Sequence, residues 1–363
     1  MARNVKIIIG TRPQIIKLTS LAGALDREGV DFSIIHTGQH YDFEMNQIFF
    51  DELNIPTPET HLGVCGGSHL SMTAAIMAKL ETALEDADLV AIPGDTNSAL
   101  AGGLAAAKMG IRVGHVEAGL RSWDRSMPEE INRVLVDHLS EMLFAPTIIG
   151  YENLIHEGVS QDKVHQTGDV TADNVQMLKP HIGRAEFPIS PPIEDFAYAT
   201  IHRTENVDRP ENLRNVVRAL SKFRDRHGFD VLIPLHPHTR KSLEKLNLLK
   251  DLSDAPGVNV VKPVGYLTSL KLANEAKVVL TDSGGLQKEA FILGTPTVTI
   301  RTTTEWCETV ETGWSRLTGS DPERIHEAVE EFLQHKLERV DPMKFYGEGN
   351  ASKRIAELLR EAL

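Results

Sequence analysis

Cysteine is almost missing from this chain: Cys65 and Cys307 are the only two in 363 residues. So few thiols build neither a disulfide framework nor a cysteine-based zinc site, and they fit a reducing compartment, the cytoplasm. A surplus of positive charge is missing too. Lysine and arginine number 38 against 51 aspartates and glutamates, for a formal net charge of −13. That balance argues against nucleic acid or an anionic membrane as partner, while leaving room for a local basic pocket. No apolar run reaches spanning length. The first, Val5 to Ile9, is broken by Lys6 and is too short for a signal peptide or a span, so no membrane insertion is expected. Solenoid-period repeats and low-complexity tracts are also lacking. What remains is ordinary globular composition, 41% hydrophobic and 25% charged, at a length that favours two α/β domains over one core.

Short β-branched runs alternate with helical patterns along most of the chain: Val5 to Ile9, Phe32 to His36, Leu89 to Pro93, Val113 to Glu117 and Met142 to Ala145. Such alternation predicts a parallel, doubly wound sheet. The pattern fades between Asp173 and Asp195, where Pro180, Pro188, Pro191 and Pro192 cluster, and this stretch reads as the crossing between domains. A second series begins at Ala197 to Ile201 and runs through Val231 to Leu235, Val258 to Val261, Val278 to Thr281 and Thr297 to Ile300. The expected organisation is an N-terminal Rossmann-like domain, 1–172 plus a C-terminal helix in 349–363, and a second Rossmann-like domain, 173–348, facing it across a cleft. Ligands of open α/β sheets sit beyond the carboxyl ends of the strands, so functional residues should follow strand ends.

The most telling stretch is Leu280 to Phe291, LTDSGGLQKEAF. A strand runs into a Ser283-Gly284-Gly285 turn and at once into a helix, whose N-terminal amides suit a phosphate; glycine lets a diphosphate approach the backbone, and Glu289 is placed to accept sugar hydroxyls. The competing reading is a tight turn with Ser283 as N-cap. After the first strand, Gly10 to Lys17 forms a turn entering a helix, with Thr11 and Gln14 at capping-box spacing; capping accounts for those two but not for Arg12 and Lys17, cations near a helix N-terminus where an anion belongs. Asp95 in GDTN, alone readable as an N-cap, Glu117 in HVEAG, alone readable as a buried structural acid, and Glu129 in MPEEINR, in capping-box spacing with Ser126, follow further strands. Three carboxylates at one sheet rim are expected to raise one another's pKa towards acid–base use. In the second half His202, unless it is only structural, and Arg203 suit a phosphate or a developing charge, Tyr266 either meets a base or sits in an ordinary loop, and Arg301 follows a strand end. His236 and His238 lack further ligands nearby, so no metal site is expected.

In order, GTRPQIIK, TGQHYD, GDTNSALAGGLAAAK, GHVEAGLRS, MPEEINRV, HRTENVD, PLHPHTR, PVGYL, LTDSGGLQKEA and TEWCETVE resemble the motif series of the non-hydrolysing UDP-N-acetylglucosamine 2-epimerases, over essentially the whole chain. The resemblance implies a GT-B-like fold of two Rossmann-like domains, usually a homodimer, and reversible inversion at C2 of UDP-N-acetylglucosamine to give UDP-N-acetylmannosamine. UDP is eliminated and re-added through a bound 2-acetamidoglucal, with no metal or redox cofactor. It implies catalytic roles for Asp95, Glu117, Glu129 and His202, and UDP contacts for Arg12, Lys17, Ser283, Gly284, Gly285 and Glu289. Arg203, Tyr266 and Arg301 join these as substrate contacts from their strand-end places. Gln39 and His40 match a regulatory motif of bacterial relatives whose second arginine is Thr204 here. Gln14 stands where many members have Glu. The Glu305-Trp306 and Gly313-Trp314 pairs resemble relatives that epimerise UDP-2,3-diacetamido-2,3-dideoxyglucuronate, the alternative substrate. A GT-B glycosyltransferase, the more distant alternative, would share the Ser-Gly-Gly grip but would not need three rim carboxylates. Polysaccharide or glycan synthesis is the expected setting.

Overall fold

The computed structural model describes residues 4–39, 50, 53, 55–190 and 193–363, which divide into two compact units, Met1–Met177 with Met343–Leu363, and Leu178–Pro342. In the first unit, β1 (Val5–Ile9), β2 (Phe32–His36), β3 (Thr60–His61), β4 (Leu89–Pro93), β5 (Arg112–Val116), β6 (Met142–Ala145) and β7 (Val164–Gln166) form one sheet in the order β3-β2-β1-β4-β5-β6-β7. In the second, β8 (Phe196–Thr200), β9 (Asp230–Pro234), β10 (Val258–Val261), β11 (Val278–Thr281), β12 (Thr297–Thr299) and β13 (Ser315–Leu317) take the order β10-β9-β8-β11-β12-β13. Among the described residues every strand pairing is parallel.

The near-continuous burial of β1 and β4 follows from helices covering both faces of a parallel sheet. The helix Arg12–Glu28 buries Ile15, Leu18, Leu21, Ala22 and Leu25 at helical spacing and packs beside the C-terminal helix Ala351–Ala362. Ser352 Oγ meets Ser20 Oγ at 2.7 Å, and Ser352 N donates to Asp173 at 2.7 Å, which fastens the returning helix to the first unit. Both sheets reverse order at one place, between β1 and β4 and between β8 and β11, and at such switch points a crevice opens beyond the strand ends. The turns 10–12 and 94–96 leave the first of them; the turns 201–203 and 282–285 leave the second.

The strands expected from the sequence form within a residue of their expected bounds. β3, β7 and β13 were not expected: two or three residues each, partly polar and at or near a sheet edge, they carry too little periodicity to register. Among the described residues no helix is long and apolar enough to cross a membrane.

Candidate active site

In the first unit the strand-end turns are fastened to one another by side chains. Gln14 Oε1 accepts from Gly10 N at 2.9 Å and from Thr11 Oγ1 at 3.3 Å, while its Nε2 donates to Pro93 O at 2.8 Å, joining the ends of β1 and β4. Thr11 is the N-cap residue, but its side chain makes no cap bond. A glutamate at 14 would set a carboxylate against the Pro93 carbonyl, so the amide suits this chain. Gln39 Oε1 accepts from Ser98 N (3.0 Å) and Ser98 Oγ (2.7 Å), a cap on the helix Asn97–Lys108. His40, named with it as a regulatory position, lies outside the described residues.

Asp95 follows Gly94, whose φ is +75°. Its carboxylate accepts from Arg133 Nε at 3.1 Å and pairs with Arg133 Nη2, and its carbonyl accepts from Asn132 Nδ2 at 3.0 Å. Glu117 is a non-glycine residue with φ of 70°, a strained backbone of the kind that gathers at functional sites. Its buried carboxylate meets Lys17 Nζ at 2.5 Å. That ammonium lies 2.8 Å from where a Cβ on Gly94 would stand, so Gly94 leaves Lys17 the space to reach across. Glu129 is half-buried in the first turn of the helix Pro128–Leu139. The expected capping box is not formed: Met127 is the N-cap residue, and Ser126 N turns instead to Asp124 Oδ1 at 2.9 Å. The neighbouring Glu130 is the fastened acid, accepting from Ser122 N, Ser122 Oγ and Trp123 N and pairing with Arg133 at 3.3 Å. The picture of carboxylates raising one another's pKa therefore needs correction. Asp95 and Glu117 face cations, Arg133 and Lys17, and not one another.

In the second unit the organising group is Asp282, fully buried at the end of β11. It accepts from His202 N (3.0 Å), Arg203 N (3.0 Å) and Asn206 Nδ2 (3.1 Å), and its Oδ1 lies 3.3 Å from His202 Nδ1. The exposed His202 ring is thus held over the turn that leaves β8. Ser283 Oγ caps Leu286 N at 3.4 Å, and the helix Gly284–Leu293 presents Gly285 to solvent. Gly284 has a packing reason of its own: a Cβ there would stand 2.4 Å from Glu305 Oε1. Tyr266 Oη donates to Glu289 at 2.9 Å, so these two expected contacts come together. Arg301 pairs with Glu305 at 2.8 Å, and Arg203 approaches the same carboxylate at 3.6 Å. Beside them Lys288 Nζ, almost wholly buried, lies 3.8 Å over the Trp306 ring. His236 Nδ1 caps its own helix at His238 N (3.3 Å), while His238 turns to Asp208 at 2.9 Å, so the two rings do not converge.

Asp282, Lys288 and Arg133 do not stand out in the sequence as site residues because each acts on a group distant along the chain. Only Asp282 carried a signal, an acid closing an apolar strand directly before Ser-Gly-Gly.

The family model for UDP-N-acetylglucosamine 2-epimerase matches residues 23–360. A UDP-N-acetylglucosamine 2-epimerase homolog of Methanococcus maripaludis is 45% identical over 97% of this chain and 98% of its own. The UDP-2,3-diacetamido-2,3-dideoxy-D-glucuronate 2-epimerase of Pseudomonas aeruginosa is 42% identical over 97% and 98%. The crystal structure of Methanocaldococcus jannaschii UDP-GlcNAc 2-epimerase in complex with UDP-GlcNAc and UDP matches with a TM-score of 0.94 at 41% identity, covering 99% of each chain. With two Rossmann-like units as in GT-B folds, the chain belongs to the UDP-N-acetylglucosamine 2-epimerase family of isomerases.

Proposed function

We propose that this protein inverts C2 of UDP-N-acetylglucosamine reversibly, eliminating UDP and the C2 proton to give 2-acetamidoglucal and re-adding both with the proton on the opposite face. The observation that carries this reading is the pair of acids at the first switch point, Asp95 and Glu117, each held by a cation and one of them on a strained backbone. A carboxylate fixed in this way takes or gives a proton without first reorganising. Elimination and re-addition leave the oxidation level unchanged, so the balance needs no redox cofactor. Ser283, Gly284, Gly285 and Glu289 hold the UDP, Tyr266, Arg203 and Arg301 support it, and His202, aimed by Asp282, joins Asp95, Glu117 and Glu129 in proton transfer. The test is proton NMR in D2O with UDP-N-acetylglucosamine. Deuterium at C2 with a new manno anomeric signal is expected, and absence of both would overturn the proposal.

UDP-2,3-diacetamido-2,3-dideoxyglucuronate is the second reading, supported by the Glu305-Trp306 pair and the Pseudomonas relative. Trp314 lends it less: its half-buried ring packs edge-on against Phe291 and its Nε1 donates to Glu338 O at 3.1 Å, contacts that account for it within its own unit. The same NMR experiment on this sugar decides between the two.

Arg12 and Lys17 should separate in their effects. Arg12→Ala should weaken UDP binding by about 1.5–3 kcal/mol, the loss of a charge-assisted bond. Lys17→Met should instead lower kcat by about 10²-fold with UDP affinity nearly kept, because its ammonium is paired with Glu117. Calorimetry of UDP binding beside steady-state rates checks both. A parallel loss of UDP affinity in Lys17→Met would return Lys17 to the diphosphate.

A homodimer is supported by exposed apolar residues on two helices that flank a third. His69–Ala83 and Pro128–Leu139 both pack on Asn97–Lys108, and their outer surface carries Leu70, 81% exposed, with Ala74, Ala78, Ile131 and Leu135. Apolar surface of this extent favours a second copy. Leu70→Glu with Ala78→Glu should shift sedimentation from dimer to monomer; unchanged sedimentation would move the interface elsewhere. The free thiols Cys65 and Cys307 support a cytoplasmic setting.

A further inference from the structure

Deep in the first unit lies a set of charged side chains to which the proposed chemistry gives no role. His115, Asp137 and Arg121 are buried, and Asp137 joins them. Its Oδ1 accepts from His115 Nδ1 at 2.6 Å, and its Oδ2 accepts from Arg121 Nη1 at 2.7 Å and from Gly119 N at 3.1 Å. His115 Nε2 donates to Gly94 O at 2.9 Å. Arg121 is completed by Leu120 O and by a forked pair to Glu157 at 2.8 and 2.6 Å. Burial alone would raise the Asp137 carboxyl, but His115 and Arg121 outweigh it and hold the group below the ordinary carboxylate range.

Burying so much charge is a poor route to stability, since well-packed apolar side chains of similar volume generally serve as well. What the network holds is more specific. Gly94 immediately precedes Asp95. Gly119, at φ +80°, comes two residues after Glu117, and a Cβ on it would stand 2.0 Å from Gly150 O. Asp137 therefore ties both acid-bearing turns to one helix, Pro128–Leu139, and that same helix sends Arg133 and Asn132 to Asp95. Without this tie nothing in the backbone's own preference would keep Glu117 in its left-handed conformation.

We infer that Asp137 is a positioning residue, setting the turns of Asp95 and Glu117 through His115 and Gly119. The inference rests on the reading of those two acids as the proton-transfer groups. The full-length protein and three variants test it by C2 deuterium exchange, kcat, KM and UDP affinity, each per mole of folded enzyme. Asp137→Asn keeps the volume but cannot satisfy His115, Arg121 and Gly119 together. It should lose about 10²-fold in kcat and in exchange, as misplacement of reacting groups by about 1 Å does, with UDP affinity within about threefold. His115→Gln, whose amide can still donate to Gly94 O, should keep about tenfold more kcat than His115→Leu at comparable unfolding midpoints. If Asp137→Asn does not fold, this second pair decides. A folded Asp137→Asn with wild-type kcat, equal rates in the two His115 variants, or kcat and UDP affinity falling together would each overturn the inference. An inactive wild type would overturn the functional reading, and the inference with it.

Discussion

Asp95→Asn and Glu117→Gln are each expected to cut turnover by about 10³-fold or more while UDP binds within about threefold of the wild type. Both changes keep the side-chain volume, so the loss measures the acid's charge and basicity and not a cavity. Asp95 sits against Arg133 and Glu117 against Lys17 at 2.5 Å. Neutralising either acid removes a proposed proton acceptor and leaves a cation facing an amide. The proposed diphosphate grip at Ser283–Gly285 belongs to the other sheet's switch point and is not altered by these changes. Steady-state rates, deuterium exchange at C2 and calorimetric titration with UDP give the three readouts. If exchange at C2 survives while net epimerisation stops, the altered acid serves only one face of the sugar. If UDP affinity collapses with the rate, the acids build the site and do not catalyse.

Much of the fold was legible because parallel strands buried on both faces read as apolar runs. β1, β2, β4 and β11 announce themselves, whereas β3 and β13, short and near or at an edge, do not. The candidate strand-end residues were legible for a related reason: the turns at a switch point fall directly after an apolar run, as in Pro93-Gly94-Asp95 and Thr281-Asp282-Ser283. Their partners were not. Arg133 lies 38 residues from Asp95, and Lys17 lies 100 from Glu117; no local pattern encodes such a pairing. Spacing misled at Ser126 and Glu129, where Pro128 opens the helix one residue later and Glu130 receives the bonds of the 122–123 turn. Gln39 shows the same limit, its side chain capping a helix 59 residues along the chain.

The second large effect should come from Asp282→Ala. This carboxylate is wholly buried, yet it accepts from two backbone amides and the Asn206 amide and lies within 3.3 Å of the His202 ring. Removing it strands those donors where water does not replace the lost acceptor easily. Three orphaned donors around the site of a vanished charge predict a loss of about 3–5 kcal/mol in urea unfolding. Asp282→Asn keeps one acceptor and turns an amide N–H towards donors, so it should recover only part of that loss. Activity separates the hub's two roles. His202 takes its place from Asp282, and the turn carrying Arg203 folds around the same oxygens, so even the folded fraction of Asp282→Asn should turn over at least about tenfold more slowly than wild type. A urea midpoint within error of the wild type would mean that the 202–206 turn is held by its own packing, with Asp282 only bystanding. A normal midpoint with slow turnover would instead assign Asp282 to the alignment of His202 alone.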